Sequence, residues 1–265
     1  KVDQIIDEAS YFSVSICSCR HKKLHAGKKT CKVPLETCTS FGKAAEYLVR
    51  HGMGREISRS EMHDIAQRSK EMQLVFSVDN VKNQPSFICH CCGCCCGILD
   101  GINKHGYANA IVSSTLVPKV VMDDCNGCQK CARACHISAI TLTPEAKTTK
   151  RKRMFMPVID EDLCIGCGVC TLVCDPDAIK MEKREQNIIH PENTFEKIIL
   201  QCLERGTLQN QLFDEPDNLT HKAMRGIVGG FLRLPPVKKA LMTDTLRSRF
   251  LAGLAGATKS NGVDV

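Results

Sequence analysis

Nineteen of the 265 residues are cysteines, and eight of these fall in two copies of one pattern. Cys125, Cys128, Cys131 and Cys135 read CxxCxxCxxxC, and so do Cys164, Cys167, Cys170 and Cys174. Three thiolates two residues apart on one tight loop can cap three irons of a single cubane. The fourth, three residues on, leaves with the following helix and points toward a second cluster. This reading groups Cys125, Cys128, Cys131 and Cys174 around one [4Fe-4S] cluster, and Cys164, Cys167, Cys170 and Cys135 around another. Gly127, Gly166 and Gly168 let the backbone fold closely round sulfide and offer N–H donors to it. A zinc ribbon asks for two CxxC knuckles rather than a doubled four-cysteine run, so it is the weaker reading.

Ten more cysteines precede the repeats. Cys17, Cys19, Cys31 and Cys38 form one set, and Cys89, Cys91, Cys92, Cys94, Cys95 and Cys96 crowd around Gly93. Ten thiolates fit two further cubanes with two cysteines to spare. They also fit one cubane plus a larger or non-cubane cluster, because adjacent cysteines can bridge irons, or a zinc or metallothionein-like site. Neighbouring cysteines in CHCCGCCC cannot easily pair with each other, and the total is odd, so a secreted disulfide scaffold is excluded. Reduced thiolates holding metal imply a reducing compartment, and the cytoplasm is the expected location. No secretory leader is visible, although a start at Lys1 leaves room for an upstream segment. No apolar run approaches the ~20 residues of a membrane span. Cys202 reads as a small packing residue on an apolar helix face.

These cysteines need elements to position them. Residues 2–10 read as a short helix and YFSVSI as a strand running into Cys17. FGKAAEYLVR reads as a helix ended by the glycines of HGMG, and Ser58 with Glu61 signals a second helix reaching Glu71. LVFSV is the next strand, and together these elements form a scaffold for cysteine-bearing loops. The units KVVMDDCNGCQKCARACHISAITL and PVIDEDLCIGCGVCTLVCDPDAIKM repeat one strand–loop–half-helix–strand pattern. Beyond them, a helix starts near Pro191 and ends at Gly206, and further apolar and basic residues recur at helical spacing. The expected architecture is α+β in three parts. Residues 1–112 form a small cysteine-rich cluster-binding domain, 113–185 a two-cluster βαββαβ domain, and 186–265 a helical C-terminal tail.

Charge and composition limit the partners. Lys+Arg exceed Asp+Glu by 36 to 29, tryptophan is absent and aromatics total 5%. Stacking platforms for single-stranded nucleic acid are therefore not expected, and no nucleic-acid partner is assigned. The run KTTKRKR (147–153) is a solvated loop whose functional reading is a dock for an acidic redox protein. The basic amphipathic tail suits core or subunit contact, with peripheral membrane contact as the minority reading. Four oxidised cubanes, each about −2 with its thiolates, would bring the formal +7 close to neutral.

Residues 116–185 resemble the bacterial two-[4Fe-4S] ferredoxin domain, which implies a ferredoxin-like fold and eight cysteine ligands. That family usually has proline directly after the fourth cysteine. Here His136 stands in one repeat, and Asp175 precedes Pro176 in the other. The stretch before it resembles uncharacterised anaerobe iron–sulfur proteins. In those, a CxCR…C…PLE(T/V)C…FG segment and a CCGCCCG segment precede a two-cluster ferredoxin domain. His90 sits where that family often has a polar amide. CCG motifs of heterodisulfide-reductase-like proteins hold non-cubane clusters, but at much longer spacings.

The resemblance implies electron transfer, as a subunit of a larger anaerobic oxidoreductase complex with redox protein partners. No glycine-rich nucleotide loop, nucleophile elbow or HExxH is present, and no catalytic residue is assigned. One rival is a reductase or reductive activator with a catalytic or non-cubane cluster at Cys89–Cys96. Another is a cluster carrier or scaffold.

Overall fold

The computed structural model describes residues 2–106, 114–144, 155–185, 190–215, 217–241 and 250. The basic run 147–153 and the expected domain boundary at 112 lie outside these residues. The chain divides into two compact units, Lys1–Asp79 with Gln84–Ile189, and Asn80–Asn83 with His190–Val265.

The first unit opens with α1 (Val2–Glu8), β1 (Phe12–Ile16), α2 (Ser18–His25), β2 (Glu36–Phe41), α3 (Gly42–Arg50) and β3 (Arg55–Glu56). It continues through α4 (Arg59–Glu71), β4 (Val75–Val78), β5 (Phe87–Cys91) and α5 (Gly97–His105). The five strands form one antiparallel sheet in the order β3-β1-β2-β5-β4. Alternation along the strands turns Phe12, Val14, Phe41 and Ile88 to one side, where Ile6 of α1 and Met62, Ile65 and Ala66 of α4 cover them. Phe12 and Phe41 are cross-strand partners and meet edge-on, with ring centroids 5.9 Å apart. The Ser58 signal is realised, since its Oγ accepts from the Glu61 N–H. The Glu61 carboxylate turns instead to Arg55, at 2.6 Å, so only half of the capping box forms.

The repeats follow as β6 (Leu116–Val120), α6 (Lys130–Ala134), β7 (Ile140–Pro144), β8 (Phe155–Ile159), α7 (Val169–Leu172) and β9 (Ile179–Lys183). This is the expected βαββαβ order. The outer strands pair with each other, β6 with β9, and the inner strands likewise, β7 with β8, both antiparallel. Each repeat thus lends one strand to each pair, which brings the two cysteine loops together. One buried apolar group spans both parts of this unit: Val75, Leu99 and Ile102 pack with Val117, Ile137, Ile165 and Val169.

The second unit holds α8 (Thr194–Arg205), α9 (Leu208–Leu212), α10 (Leu219–Arg233) and α11 (Pro235–Leu241) around Ile199, Leu200, Leu203, Leu208 and Leu232. Asn193 caps α8 through the Glu196 N–H, and Gly206 ends it at φ +66°. Cys202 is half-buried against this group. No helix among the described residues is long and apolar enough to cross a membrane.

Gly166 shows how tightly the ferredoxin-type loops are drawn. Its φ is +66°, and a Cβ there would fall 2.1 Å from the Leu116 carbonyl oxygen. Gly166→Ala should therefore lower stability by about 2 kcal/mol or more, read as a lowered thermal midpoint, whereas a cost below about 0.5 kcal/mol would contradict this packing.

Candidate metal centres

In the ferredoxin-type half, Cys125, Cys128 and Cys131 from the first repeat line one cavity with Cys174 from the second. Leu142, Phe155, Pro157 and Ile179 complete its apolar wall. Cys135 lies with the other loop, where it acts electrostatically on both Cys164 and Cys170. Burial and the neighbouring thiolates of Cys167, Cys164 and Cys135 push Cys170 up to about 12. Backbone donors already point at sulfur: Gly166 N–H reaches Cys164 Sγ at 3.4 Å, and Ala139 N–H reaches Cys135 Sγ at 3.3 Å. Gly127, Gly166 and Gly168 all have positive φ, at +71°, +66° and +75°. Converging thiolates, inward N–H groups and an apolar wall suit a [4Fe-4S] cluster at each set. Cys128 and Cys167, one from each loop, are exposed.

The cysteine-rich half is built differently from its expected loops. Cys19 lies on α2, Cys38 on β2, and Cys89 and Cys91 on β5. The alternation of β5 sends Cys89 and Cys91 to one face and His90 to the other. His90 is 2% exposed and fully engaged. The Thr39 hydroxyl donates to the Ile88 carbonyl at 3.0 Å, so its oxygen accepts from His90 Nε2 at 3.1 Å. Ser69 Oγ then donates to Nδ1 at 2.8 Å. Burial, helped by Arg20, pushes the imidazole down to about 4 and keeps it neutral. His90 is thus a framework residue that anchors β5 to β2 and α4.

On the opposite face, Cys17, Cys19, Cys38, Cys89, Cys91 and Cys96 line a second cavity with Arg20 and Thr37, and Cys92 and Cys95 close one side of it. Their thiols interact directly. Hydrogen bonds from Cys38 and Cys91 pull Cys89 down to about 3, and the same contacts with burial push Cys38 and Cys91 up. Cys91 and the N–H groups of Leu99 and Ile98 pull Cys96 down to about 6. Cys31, Cys92, Cys94 and Cys95 converge more tightly, with all four sulfurs within 4.8 Å of one another.

Arg20, next to Cys19 in the CxCR run, had no role assigned from sequence. Its side chain is 1% exposed, and its guanidinium donates to Thr37 Oγ1 and the His90 carbonyl. The thiolates of Cys92, Cys17 and Cys31 hold its charge in place against burial. A fixed cation between both sulfur groups offsets negative charge that a buried metal–thiolate centre cannot shed to water. The arginine beside a CxC pair was the signal available in the sequence.

Reduction adds negative charge, which a nearby cation favours. In the metal-loaded chain, Arg20→Gln should lower the potential of the adjacent centre by about 60 mV, a tenfold change in a one-electron equilibrium. Arg20→Lys should recover much of it, and an unchanged potential would remove Arg20 from this role. Metal must also displace protons from the raised thiols of Cys38 and Cys91. Loading should therefore release protons and weaken as pH falls, as a pH-stat titration would record.

Residues 124–178 match a family model described as the 4Fe-4S dicluster domain. Over 88 residues, 29% of the chain, it is 31% identical to one of the subunits of the ferredoxin:CoB-CoM heterodisulfide reductase of Methanosarcina mazei. It is 40% identical over 47 residues, 18% of the chain, to methylamine utilization ferredoxin-type protein MauM of Methylorubrum extorquens. Over 147 residues, 53% of the chain, it is 26% identical to NAD(P)H-quinone oxidoreductase subunit I of Gloeobacter violaceus. The chain spans 11%, 21% and 66% of the lengths of these three relatives. The doubled CxxCxxCxxxC run thus lies in a 4Fe-4S dicluster domain over residues 124–178.

Proposed function

We propose that this chain is a multi-cluster iron–sulfur electron-transfer protein, passing single electrons between redox partners as a subunit of a larger oxidoreductase complex. The observation that carries this reading is the shared interior of the first unit. Cys96, with Cys91 alongside, packs in one apolar group with Cys164 and Cys135. Thiolates of the cysteine-rich and ferredoxin-type parts therefore line one continuous core, as a relay requires. Burial of Cys96 to 5% exposure speaks against a scaffold that surrenders its cluster.

In this reading Cys125, Cys128, Cys131 and Cys174 hold the first cluster and Cys164, Cys167, Cys170 and Cys135 the second. Four of Cys17, Cys19, Cys38, Cys89, Cys91 and Cys96, which line the Arg20 cavity, hold a third. Electrons pass through them in that order. His136 is the junction: it follows Cys135, and its Nδ1 accepts from the Gly93 N–H at 3.2 Å. Its Nε2 donates to the Gln73 carbonyl at 2.6 Å, and its own carbonyl accepts from Asn103 at 2.7 Å. A Cβ on Gly93 would meet the His136 carbonyl oxygen at 2.7 Å, so only glycine allows this approach. The place of proline in related ferredoxins is thus taken by a side chain that docks the two parts.

The relatives' names, among them a heterodisulfide reductase, a ferredoxin-type protein and a quinone oxidoreductase, support redox proteins as partners. Exposed Ile227, Phe231 and Leu234 on and after α10 offer a face to a neighbouring protein of the complex, with a membrane surface as the lesser alternative. We read the chain as cytoplasmic, because metal-bound thiolates suit a reducing compartment.

Two experiments test the relay. Redox-titrated EPR of the full chain should show cubane signals that no small molecule shifts, and a ligand-shifted signal would favour a catalytic cluster instead. After photoreduction, His136→Ala should lose the fast phase of equilibration between the ferredoxin clusters and the third centre, and His136→Gln should keep it. Wild-type kinetics in His136→Ala, with iron content intact, would sink the junction.

A further inference from the structure

Four of the ten cysteines in the first part are arranged for something other than a cubane. Cys31 Sγ lies 3.7 Å from Cys92 Sγ and 3.8 Å from Cys95 Sγ, and Cys94 Sγ lies 3.6 Å from each of those two. All four sulfurs are within 4.8 Å of one another. A tetrahedral zinc with Zn–S bonds of about 2.3 Å places its sulfurs about 3.8 Å apart along every edge. Four of the six edges have that size, and the other two lie within 4.8 Å.

A cubane asks for more room. Each of its four thiolates caps a different iron, and four irons with four sulfides must lie between them. Sulfurs this close enclose space for one metal atom and no Fe4S4 core. No other group of cysteine, histidine or acidic side chains among the described residues converges so tightly. Both ferredoxin-type sets lie among those residues, and neither brings its sulfurs within 4.8 Å of one another.

The surroundings suit a closed structural site. Cys92 and Cys95 are 3% and 2% exposed, and Val33, Leu74 and Met72 pack around the four sulfurs. The chain turns tightly to deliver three of them: Cys95 N–H and Cys96 N–H both donate to the Cys92 carbonyl, at 3.3 and 3.1 Å. Cys31 arrives from a segment 61 residues earlier. Four thiolates leave no coordination position for water or substrate, and Arg20 supplies a cation beside them.

We infer that Cys31, Cys92, Cys94 and Cys95 bind a single tetrahedral zinc ion, which staples the segment carrying Cys31 to the turn carrying Gly93. The ten cysteines then divide into four for zinc, of which Cys92 and Cys95 also border the Arg20 cavity, and the six others that line that cavity, which hold one cubane and not two. The zinc stiffens the turn on which His136 docks. The inference stands apart from the relay reading, because zinc content and iron content are separate measurements.

The test is metal quantitation and zinc-edge X-ray absorption on the full chain purified without oxygen. The expected result is one zinc per chain with four sulfur neighbours at about 2.3 Å. Alongside it should stand about twelve irons, the content of three cubanes. Cys94→Ser should lose the zinc while keeping the iron. Absence of zinc with about sixteen irons, or zinc bound through nitrogen or oxygen in the wild-type chain, would overturn the inference. Loss of the third set of irons with zinc intact would count against the relay and leave the zinc site standing.

Discussion

Thiolates repel one another, and burial makes each more costly, so sulfurs brought together inside a protein must be offset by metal, by hydrogen-bond donors or by a cation. That constraint shapes the whole of the first unit. Without metal, the crowded thiols share protons, so Cys89 is held far below the ordinary thiol range while Cys38 and Cys91 rise above it. With metal, the negative charge has to be met by fixed partners, and Arg20 and the inward N–H groups of the loops are those partners. Glycines at positive φ let the backbone present these donors, and the strand pairs hold each loop against its counterpart.

The two halves of this unit solve the same problem with different frameworks. The ferredoxin-type repeats put their cysteines on short loops, and pairing β6 with β9 and β7 with β8 sets one loop against the other. The cysteine-rich part uses a five-stranded sheet, so strand alternation sorts its residues. Cys89 and Cys91 face the sulfur cavity, while His90 faces Ser69 and Thr39. A single strand thus carries two ligand candidates and the buried polar anchor that locks their framework. The turn after it, Gly93–Cys95, gathers a tighter set of sulfurs at the edge of the same cavity.

Function follows from how these centres adjoin. The apolar group that contains Cys96 and Cys164 belongs to both parts, and the His136–Gly93 contact crosses the same region. Cys128 and Cys167, one from each loop, are the exposed ligand candidates of the ferredoxin-type half. In the proposed relay, an outer partner approaching there meets the thiolates nearest solvent, and electrons pass inward from them toward the Arg20 cavity.

The doubled four-cysteine motif, the βαββαβ order, the helix begun at Ser58 and the wealth of thiolates are all legible along the chain, because they depend on local spacing and propensity. The register of the repeats also carries the cross-repeat grouping, since three cysteines on one tight loop cannot reach both clusters. The division of the ten earlier cysteines is different, and it emerges only in three dimensions. Cys31 meets Cys92 across 61 residues, Cys38 meets Cys89 through neighbouring strands, and Arg20 reaches both groups. No local rule carries such information. The pairing depends on sheet order, on which face each strand turns inward, and on a glycine that lets His136 approach.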